Sequence, residues 1–510
     1  MLARTQSYGL LGVSGFPVTV EVFISSGLPS LDIVGLPDAA VRESRDRVRA
    51  ALISSGYHLP TARATVNLAP ADQKKEGPAY DLAIAVAILM ASGQMPETDL
   101  SDVLLIGELS LDGSLSPVRG ALPMAIAAME NGISKCVVPQ RSALELQCLS
   151  GLMVYAAPSL AEAVKHLTGE IPIAAQAQIA YSDLLSEAKA AVDLLEVQGQ
   201  AAAKRALEIA AAGAHNMLLI GPPGSGKTML ARCLPGILPP LTFAEALETT
   251  RIHSINGTLP AGGLMTERPF RAPHHSASVA ALVGGGSGAR PGEISLAHNG
   301  VLFLDELPEY PRTVLESMRQ PLEDGEVLIS RASVQAKYMA RCMLVGSMNP
   351  CPCGYFGSRV KECRCSQNDI RRYLDRISGP LLDRIDLHVE MDAVPVSEIN
   401  RSRGGESSET VRKRVIAARD IQHDRYKKDG IHDNAMLTPE LTRRYCALDK
   451  SAESLLTRAV DVMGMSMRAY TRILKVARTI ADLAGESGIN EGHIAEAIGY
   501  RALDKKYWSN

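Results

Sequence analysis

A chain of 510 residues has room for roughly three or four domains, and with 46% hydrophobic but only 4% aromatic residues its cores must be built on Ala, Leu, Ile and Val. A net charge of −3 neither demands nor excludes a nucleic-acid partner, because a ring-shaped binder needs only a few basic residues per subunit facing its channel. Nine cysteines, an odd number with two tight pairs, do not make a secreted disulfide framework; no basic segment leading into an apolar one opens the chain, and no run reaches the roughly 18 apolar residues of a membrane span, so a cytoplasmic protein without membrane contact is expected.

Residues 1–170 read as one α/β domain. β-branched alternation over Val18 to Ile24 predicts a strand. Pro37 to Ser55 predicts a helix, with Pro37 in its first turn and Arg42, Arg45, Arg47 and Arg49 among acids and alanines. Arg63 to Leu68 predicts a strand, Pro78 to Ser92 an apolar helix, Val103 to Leu109 a strand, Leu122 to Glu130 a helix, and Cys136 to Val138 a short strand. Repeated strand-then-helix units predict a mixed α/β layer fold. Lys74 and Lys75 could touch a phosphate backbone or belong to a solvated loop. Residues 171–190, rich in Ala, Gln, Ile and Ser, read as a linker.

Met217 to Ile220 is a short apolar run of the kind a buried parallel strand needs. Gly221, Pro222, Pro223, Gly224, Ser225, Gly226, Lys227 and Thr228 follow it and satisfy G-x-x-x-x-G-K-[ST]. Glycines let the backbone wrap a phosphate with its N–H groups inward, and a helix starting near Lys227 adds the positive end of its dipole. Lys227 would reach the β/γ-phosphates of ATP, and the Thr228 hydroxyl would ligate Mg²⁺. Val301 to Leu304, four apolar residues, runs into Asp305 and Glu306. Such a strand delivers carboxylates to the end of the sheet: Asp305 to hold Mg²⁺, Glu306 to polarise the attacking water. Two acids capping the next helix is the weaker alternative beside the phosphate loop.

The interval between Lys227 and Asp305 is long for one strand–helix–strand crossover. It holds Arg268-Pro269-Phe270-Arg271-Ala272-Pro273-His274-His275 and a glycine-rich stretch from Gly284 to Arg290. His274 and His275 are adjacent, which on a strand points them to opposite faces; a structural role or substrate contact is expected over a shared metal. A hairpin is expected at about Val327 to Leu344.

Cys351, Cys353, Cys363 and Cys365 form C-x-C-x9-C-x-C. Four thiols could hold Zn²⁺ tetrahedrally, although C-x2-C is the usual spacing; a redox pair and free thiols are the alternatives. From Tyr355 to Arg376 the chain carries Arg359, Lys361, Arg364, Arg371, Arg372 and Arg376, interleaved with Phe356 and Tyr373. That mixture suits a phosphate backbone with stacked bases, and equally a solvated charged loop. Residues 396–410 read as a polar linker, and 411–510 as a helical lid whose helix at Pro439 is capped by Thr438.

Several of these segments resemble known families. Gly107-Glu108-Leu109-Ser110-Leu111-Asp112-Gly113, Pro117-Val118-Arg119-Gly120 and Glu76-Gly77-Pro78-Ala79-Tyr80-Asp81 resemble the proteolytic domain of Lon-type proteases. A Ser–Lys dyad needs a hydroxyl at Ala79 and an amine within Leu122–Met124, and neither is present, so a binding or assembly module without peptidase chemistry is expected. The phosphate-loop and acid strands resemble those of AAA+ motors. That resemblance implies that the turn at Val197-Gln198-Gly199-Gln200 lies near the adenine. It implies that Asn349, ending the strand Met343 to Met348, is a sensor of the γ-phosphate or water. Gly379 to Asp386 resembles the arginine-finger box, which puts Arg384 on a neighbouring subunit's ATP, unless it pairs with Asp383 or Asp386. Ser466-Met467-Arg468-Ala469 resembles the second sensor, with Arg468 on the phosphates and Arg472 as the alternative.

The phosphate loop, long insertion, Met348-Asn349-Pro350-Cys351-Pro352-Cys353-Gly354 and the helix Arg468-Ala469-Tyr470-Thr471-Arg472 together resemble the magnesium-chelatase-like YifB/ComM family over nearly the whole chain. The resemblance implies an α/β chain in three parts: a Lon-protease-like domain at 1–170, an AAA+ ATPase core at 191–395 and a helical lid at 411–510. It implies a homohexameric ring, formed on ATP and single-stranded or branched DNA, that drives branch migration in natural transformation, with recombination proteins as further partners. The alternative is a chelatase-type motor subunit that remodels a partner protein. An ATP-dependent protease is disfavoured by the absent dyad.

Overall fold

A computed structural model describes residues 2–185, 192–286, 289–330, 335–358, 361–393 and 405–508. Arg359, the expected end of the motor core at 395, residues 186–190 of the first linker and 396–404 of the second lie outside the described residues.

The first sheet has seven strands, ordered Ser30–Val34, Arg63–Ala69, Ser14–Ser25, Leu2–Leu11, Val103–Leu105, Lys135–Pro139 and Met153–Ala157. Its centre is a long antiparallel hairpin in which Leu2 faces Phe23 and Leu11 faces Ser14. The outer strands on both sides run parallel to their neighbours. Sequence reading missed Leu2–Leu11, Ser30–Val34 and Met153–Ala157: the first carries Arg4, Thr5, Gln6 and Ser7, and only pairing to Ser14–Ser25 makes it a strand. Helix Asp81–Ala91 lies beneath with every residue buried, as an all-round apolar helix must.

Three expected boundaries move. Helix Ala39–Ser54 starts after Pro37, because Asp38 caps it by accepting from the Val41 N–H and also accepts from Gly77 at 3.2 Å. The apolar helix starts at Asp81 rather than Pro78. Asp81 is fully buried, and its carboxylate accepts from Arg47 Nε at 2.7 Å, from the Ser44 hydroxyl and from the Leu109 N–H at 3.2 Å. The strand expected over Val103 to Leu109 ends at Leu105. Gly107 turns away to bond Ala79 and Leu82, and Glu108–Leu109 forms a separate small ladder with Leu115–Ser116.

The second sheet has five strands, all parallel, ordered Phe270–Arg271, Val301–Leu304, Met343–Met348, Met217–Ile220 and Leu387–Glu390. Its three inner strands are buried throughout, with helices on both faces. The expected hairpin is present as Glu326–Ser330 against Gln335–Met339. The described part of the C-terminal segment is helical from Ser408–Tyr426 to Ala502–Trp508, with Thr438 capping Pro439–Tyr445 and Ser466 capping Met467–Leu483. Among the described residues no helix is long and apolar enough to cross a membrane.

Candidate active site

Because the strands are parallel, the chain leaves Met217–Ile220, Val301–Leu304 and Met343–Met348 at the same end of the sheet. Gly221 donates to Met348 O at 3.2 Å, and a Cβ there would meet Met391 O at 2.4 Å, so only glycine fits. Gly224 and Gly226 take left-handed φ of 78° and 90°, the second opening helix Lys227–Arg232. Lys227 Nζ is aimed back over the loop, donating to Gly221 O at 2.8 Å, Pro222 O at 2.9 Å and Asn349 Oδ1 at 3.3 Å. Burial pulls its amine down to about 8 against the opposing pull of Asp305 and Glu306.

Asp305 is gripped from the helix after the phosphate loop and from the neighbouring strand Met343–Met348. Thr228 Oγ1 donates to its Oδ2 at 2.9 Å, and the Ser347 hydroxyl donates to Oδ1. Ser347 is a member of this cluster that sequence reading passed over. Its signal was a hydroxyl inside the otherwise apolar strand Met343–Met348, where it is wholly buried. Glu306 adopts a left-handed φ of 53°, with its N–H on Asp305 Oδ1 at 3.1 Å, and its side chain is more than half exposed. Lys227, Thr228, Asp305, Glu306 and Asn349 therefore surround one point, as ATP hydrolysis requires.

Gln198 lines a cavity of about 600 Å³ bounded by Leu194, Val197, Lys204, Glu406 and Arg414, between the start of helix Ala201–Gly213 and the lid. Gln200, not singled out from sequence, ties this cavity to the phosphate loop. Its Nε2 donates to Ser225 O at 3.2 Å and Asp392 O at 2.6 Å from a left-handed backbone.

Arg384 and Arg468 lie elsewhere. Arg384 precedes Leu387–Glu390, at the opposite end of the sheet from its own phosphate loop. Its guanidinium donates to Pro380 O at 2.7 Å and pairs with Glu323, not with Asp383 or Asp386. Arg468 is largely exposed, 3.9 Å from Asp383, and Arg472 is bonded to Asp386 at 2.6 Å. All three arginines share one face, away from Lys227.

The four sulfurs of Cys351, Cys353, Cys363 and Cys365 lie within 4.8 Å of one another, with Cys351–Cys363 at 3.7 Å and Cys353–Cys363 at 3.6 Å, and none is in a disulfide. Zinc–sulfur bonds of about 2.3 Å in a tetrahedron set sulfurs about 3.8 Å apart, so the donor set fits that ion. The clip abuts the nucleotide site: Gly354, at φ 86°, lies so close to Pro223 that a Cβ would come within 2.6 Å of it.

Several sequence candidates are corrected by their surroundings. Lys75 is buried and donates to Pro70 O and Gln73 O, and Lys74 pairs with Glu76 at 2.7 Å, so neither presents a free ammonium to a phosphate backbone. Tyr373 is buried and Phe356 packs 6.3 Å from Tyr507, which removes two of the three aromatics from base stacking; Tyr355 carries Lys361 over its ring at 4.8 Å. Arg376 pairs with Glu309; Arg371 and Arg372 are exposed on helix Gln367–Leu374, with Arg371 3.8 Å from Asp375. The rings of His274 and His275 lie tilted with centroids 4.1 Å apart, and His275 Nδ1 lies 3.6 Å from Glu306.

Three family models match the chain in order: Subunit ChlI of Mg-chelatase over residues 20–142, Magnesium chelatase, subunit ChlI over 193–399, and its C-terminal part over 405–501. The protein YifB of Salmonella typhimurium is 46% identical over 509 residues, covering 99% of this chain and 98% of its own length. The competence protein ComM of Haemophilus influenzae is 46% identical over 505 residues, 98% of each chain. The chain belongs to the YifB/ComM family. The magnesium-chelatase 38 kDa subunit of Acidiphilium rubrum is a more distant relative, 24% identical over 310 residues and covering 54% of this chain and 79% of its own. YifB/ComM proteins are thus magnesium-chelatase-like AAA+ ATPases, a class that uses ATP and Mg²⁺.

Ser347→Ala is expected to leave the Asp305 side chain held by Thr228 and the Glu306 N–H only. The Mg²⁺ concentration for half-maximal ATPase should rise, or kcat fall, by about 10-fold or more, as removal of a ligand's outer partner usually does. ATPase titrated with Mg²⁺ at saturating ATP measures it.

Proposed function

We propose that this chain is an ATP-driven motor on single-stranded or branched DNA, working as a homohexameric ring assembled on ATP and DNA and serving branch migration in natural transformation or recombination. The observation that carries this reading is the division of the motor sheet into two ends. Lys227, Thr228, Asp305, Glu306 and Asn349 converge at one, and Arg384 with Arg468 at the other. The strand Met217–Ile220 separates them by about 3.3 Å per residue, more than an arginine side chain can span back to its own loop. A hydrolytic site that needs an arginine is then completed by a neighbour, which calls for a ring.

In this reading Lys227 and the loop N–H groups bind the phosphates, Glu306 orients the water, and Asn349 holds its amide toward the reacting end. Thr228 and Asp305 would hold Mg²⁺, which supplies charge neutralisation at the transferred phosphoryl group. Arg384 and Arg468 act on the next subunit's nucleotide. Residues 1–170 are a Lon-like, ChlI-type module without a peptidase dyad, 191–395 the motor and 411–510 its lid, in a cytoplasmic protein. The competence name of the Haemophilus relative and the exposed Arg371 and Arg372 beside the cysteine clip favour DNA as substrate. The clip itself holds Zn²⁺ in this reading.

The deciding experiment gives purified protein ATP and forked, three-stranded and four-stranded DNA. ATP-dependent strand exchange, abolished in Glu306→Gln, is expected. Intact ATPase with no action on any of them would leave the alternative, a chelatase-type subunit remodelling a partner protein.

Arg384→Ala should lower ATPase on the order of 10³-fold while ATP still binds. Mixing it with Lys227→Ala should restore activity, because some interfaces then pair an intact loop with an intact arginine; no recovery would count against action between subunits.

Replacing Arg371 and Arg372 with alanine should weaken DNA binding and flatten the slope of log affinity against log salt by about 0.7 to 0.9 for each phosphate left without its cation. ATPase without DNA and ring assembly, measured alongside, separate this from a folding defect. An unchanged slope would move the DNA-binding surface elsewhere, with exposed Arg290 the next candidate.

Metal analysis should find about one Zn²⁺ per chain. Stripping it should loosen the segment from Cys351 to Cys365 and weaken DNA binding. Protein that folds and binds DNA with no zinc would return the cysteines to their alternatives.

A further inference from the structure

Asn216 stands immediately before the phosphate-loop strand, and each of its polar groups is engaged. Its N–H donates to Asp386 Oδ2 at 3.2 Å, and its carbonyl accepts from the N–H groups of Asp386 and Leu387 at 2.9 and 3.1 Å. Its side-chain Oδ1 accepts from the Leu344 N–H at 2.8 Å, and Nδ2 donates to the Arg384 carbonyl at 2.8 Å. The bonding assigns the amide without ambiguity, since one end meets a donor and the other an acceptor. One side chain thus joins the start of three elements: the strand that ends in the phosphate loop, the strand that ends in Asn349, and the segment that bears Arg384.

Asp386 closes the same joint from the lid side. It is buried, takes Arg472 Nη1 on Oδ1 at 2.6 Å and His215 Nδ1 on Oδ2 at 3.3 Å, and His215 continues to Thr479 at 2.7 Å. Burial opposes its ionisation, but Arg472 and His215 outweigh that and hold its carboxyl well below the usual carboxylate range. The fixed charge leaves Asp386 as a permanent acceptor for the Asn216 N–H. Arg472, the alternative for the second sensor, is consumed here, so its contact is with the arginine segment.

We propose that Asn216, braced by Asp386, is a positioning residue for Arg384, linking the strands that hold one subunit's nucleotide to the arginine offered to its neighbour. The proposal rests on the reading that Arg384 acts between subunits. Parallel strands are stiff along their length, so a small shift at Gly221 or Asn349 reaches the opposite ends at Asn216 and Leu344. From there it has a single side chain to cross before it displaces the Arg384 backbone. A misplacement of about 1 Å in a catalytic group can cost about 10²-fold in rate.

Asn216→Asp keeps an acceptor for Leu344 but turns its second oxygen toward another acceptor, the Arg384 carbonyl. We expect ATPase to fall about 10²-fold with the dissociation constant for an ATP analogue unchanged. Two readouts separate positioning of Arg384 from a merely structural role. Mixing Asn216→Asp with Lys227→Ala should restore activity, as an own-site defect would not allow. The double variant Asn216→Asp/Arg384→Ala should be no slower than Arg384→Ala alone. Asn216→Ala, which removes both side-chain bonds without adding charge, carries the same tests if the aspartate variant fails to assemble rings. Recovery of Arg384→Ala but not of Asn216→Asp by Lys227→Ala, or additive effects in the double variant, would overturn the inference. Failure of Arg384→Ala itself to recover would overturn the reading beneath it as well.

Discussion

Five short strands running in one direction give the motor sheet two unlike ends, and the rest of the chemistry follows from that. Every strand leaves the sheet on the nucleotide side, so the glycine loop, Asp305 and Asn349 meet although they are far apart in the chain. Every strand enters on the other side, so Asn216, Leu344 and the segment from Arg384 to Asp386 meet there. Burial on both faces makes the strands a rigid connection between the two groups.

Several buried polar groups gather at joints, and the joints sit where parts of the chain must keep a fixed relation. Asp305, Ser347 and Thr228 form one at the nucleotide end. His215, Asp386, Arg472 and Thr479 form another between the sheet and the lid. A third ties the N-terminal sheet to the motor. Glu145 is buried, accepts from Ser254 Oγ at 2.5 Å and the Leu122 N–H at 3.4 Å, and burial raises its carboxyl to about 7 against those bonds. Gly120, at φ 77°, donates to Ser254 as well, and Gln147 donates to Gly262 O at 3.0 Å. Ser254 lies on helix Phe243–Asn256, whose His253 bonds Leu296 O just ahead of the strand that bears Asp305 and Glu306. The segment where a peptidase would carry its amine, Leu122 to Met124, is thus packed beside helix Phe243–Asn256.

The glycine positions illustrate how a local rule and a tertiary demand coincide. Gly224 and Gly226 need left-handed backbone, which a loop pattern announces. Gly221 is required for a different reason, the close approach of Met391 O, and Gly354 combines a left-handed backbone with the close approach of Pro223; those neighbours come from remote parts of the chain.

The phosphate loop, the Asp305–Glu306 pair, strand Met343–Met348 and several helices were readable from sequence because each depends on a short run of residues: a buried apolar stretch, a glycine pattern, a cap such as Thr438 or Ser466. The cysteine spacing announced a cluster, and the convergence of its sulfurs needed the fold. Strands such as Leu2–Leu11, with polar residues on a face that neighbours bury, had no local signature and were decided by pairing. The same holds for charge. Lys75, Tyr373 and Arg376 looked available in sequence, and their fate turned on carbonyls, rings and acids brought from elsewhere. Sequence by itself determined which chemistry this protein carries, because phosphate and metal binding demand particular residue types at short spacing. Tertiary structure alone decided that the arginines stand at the far end of the sheet from their own phosphate loop, because strand direction and order are properties of pairing between segments remote in the chain.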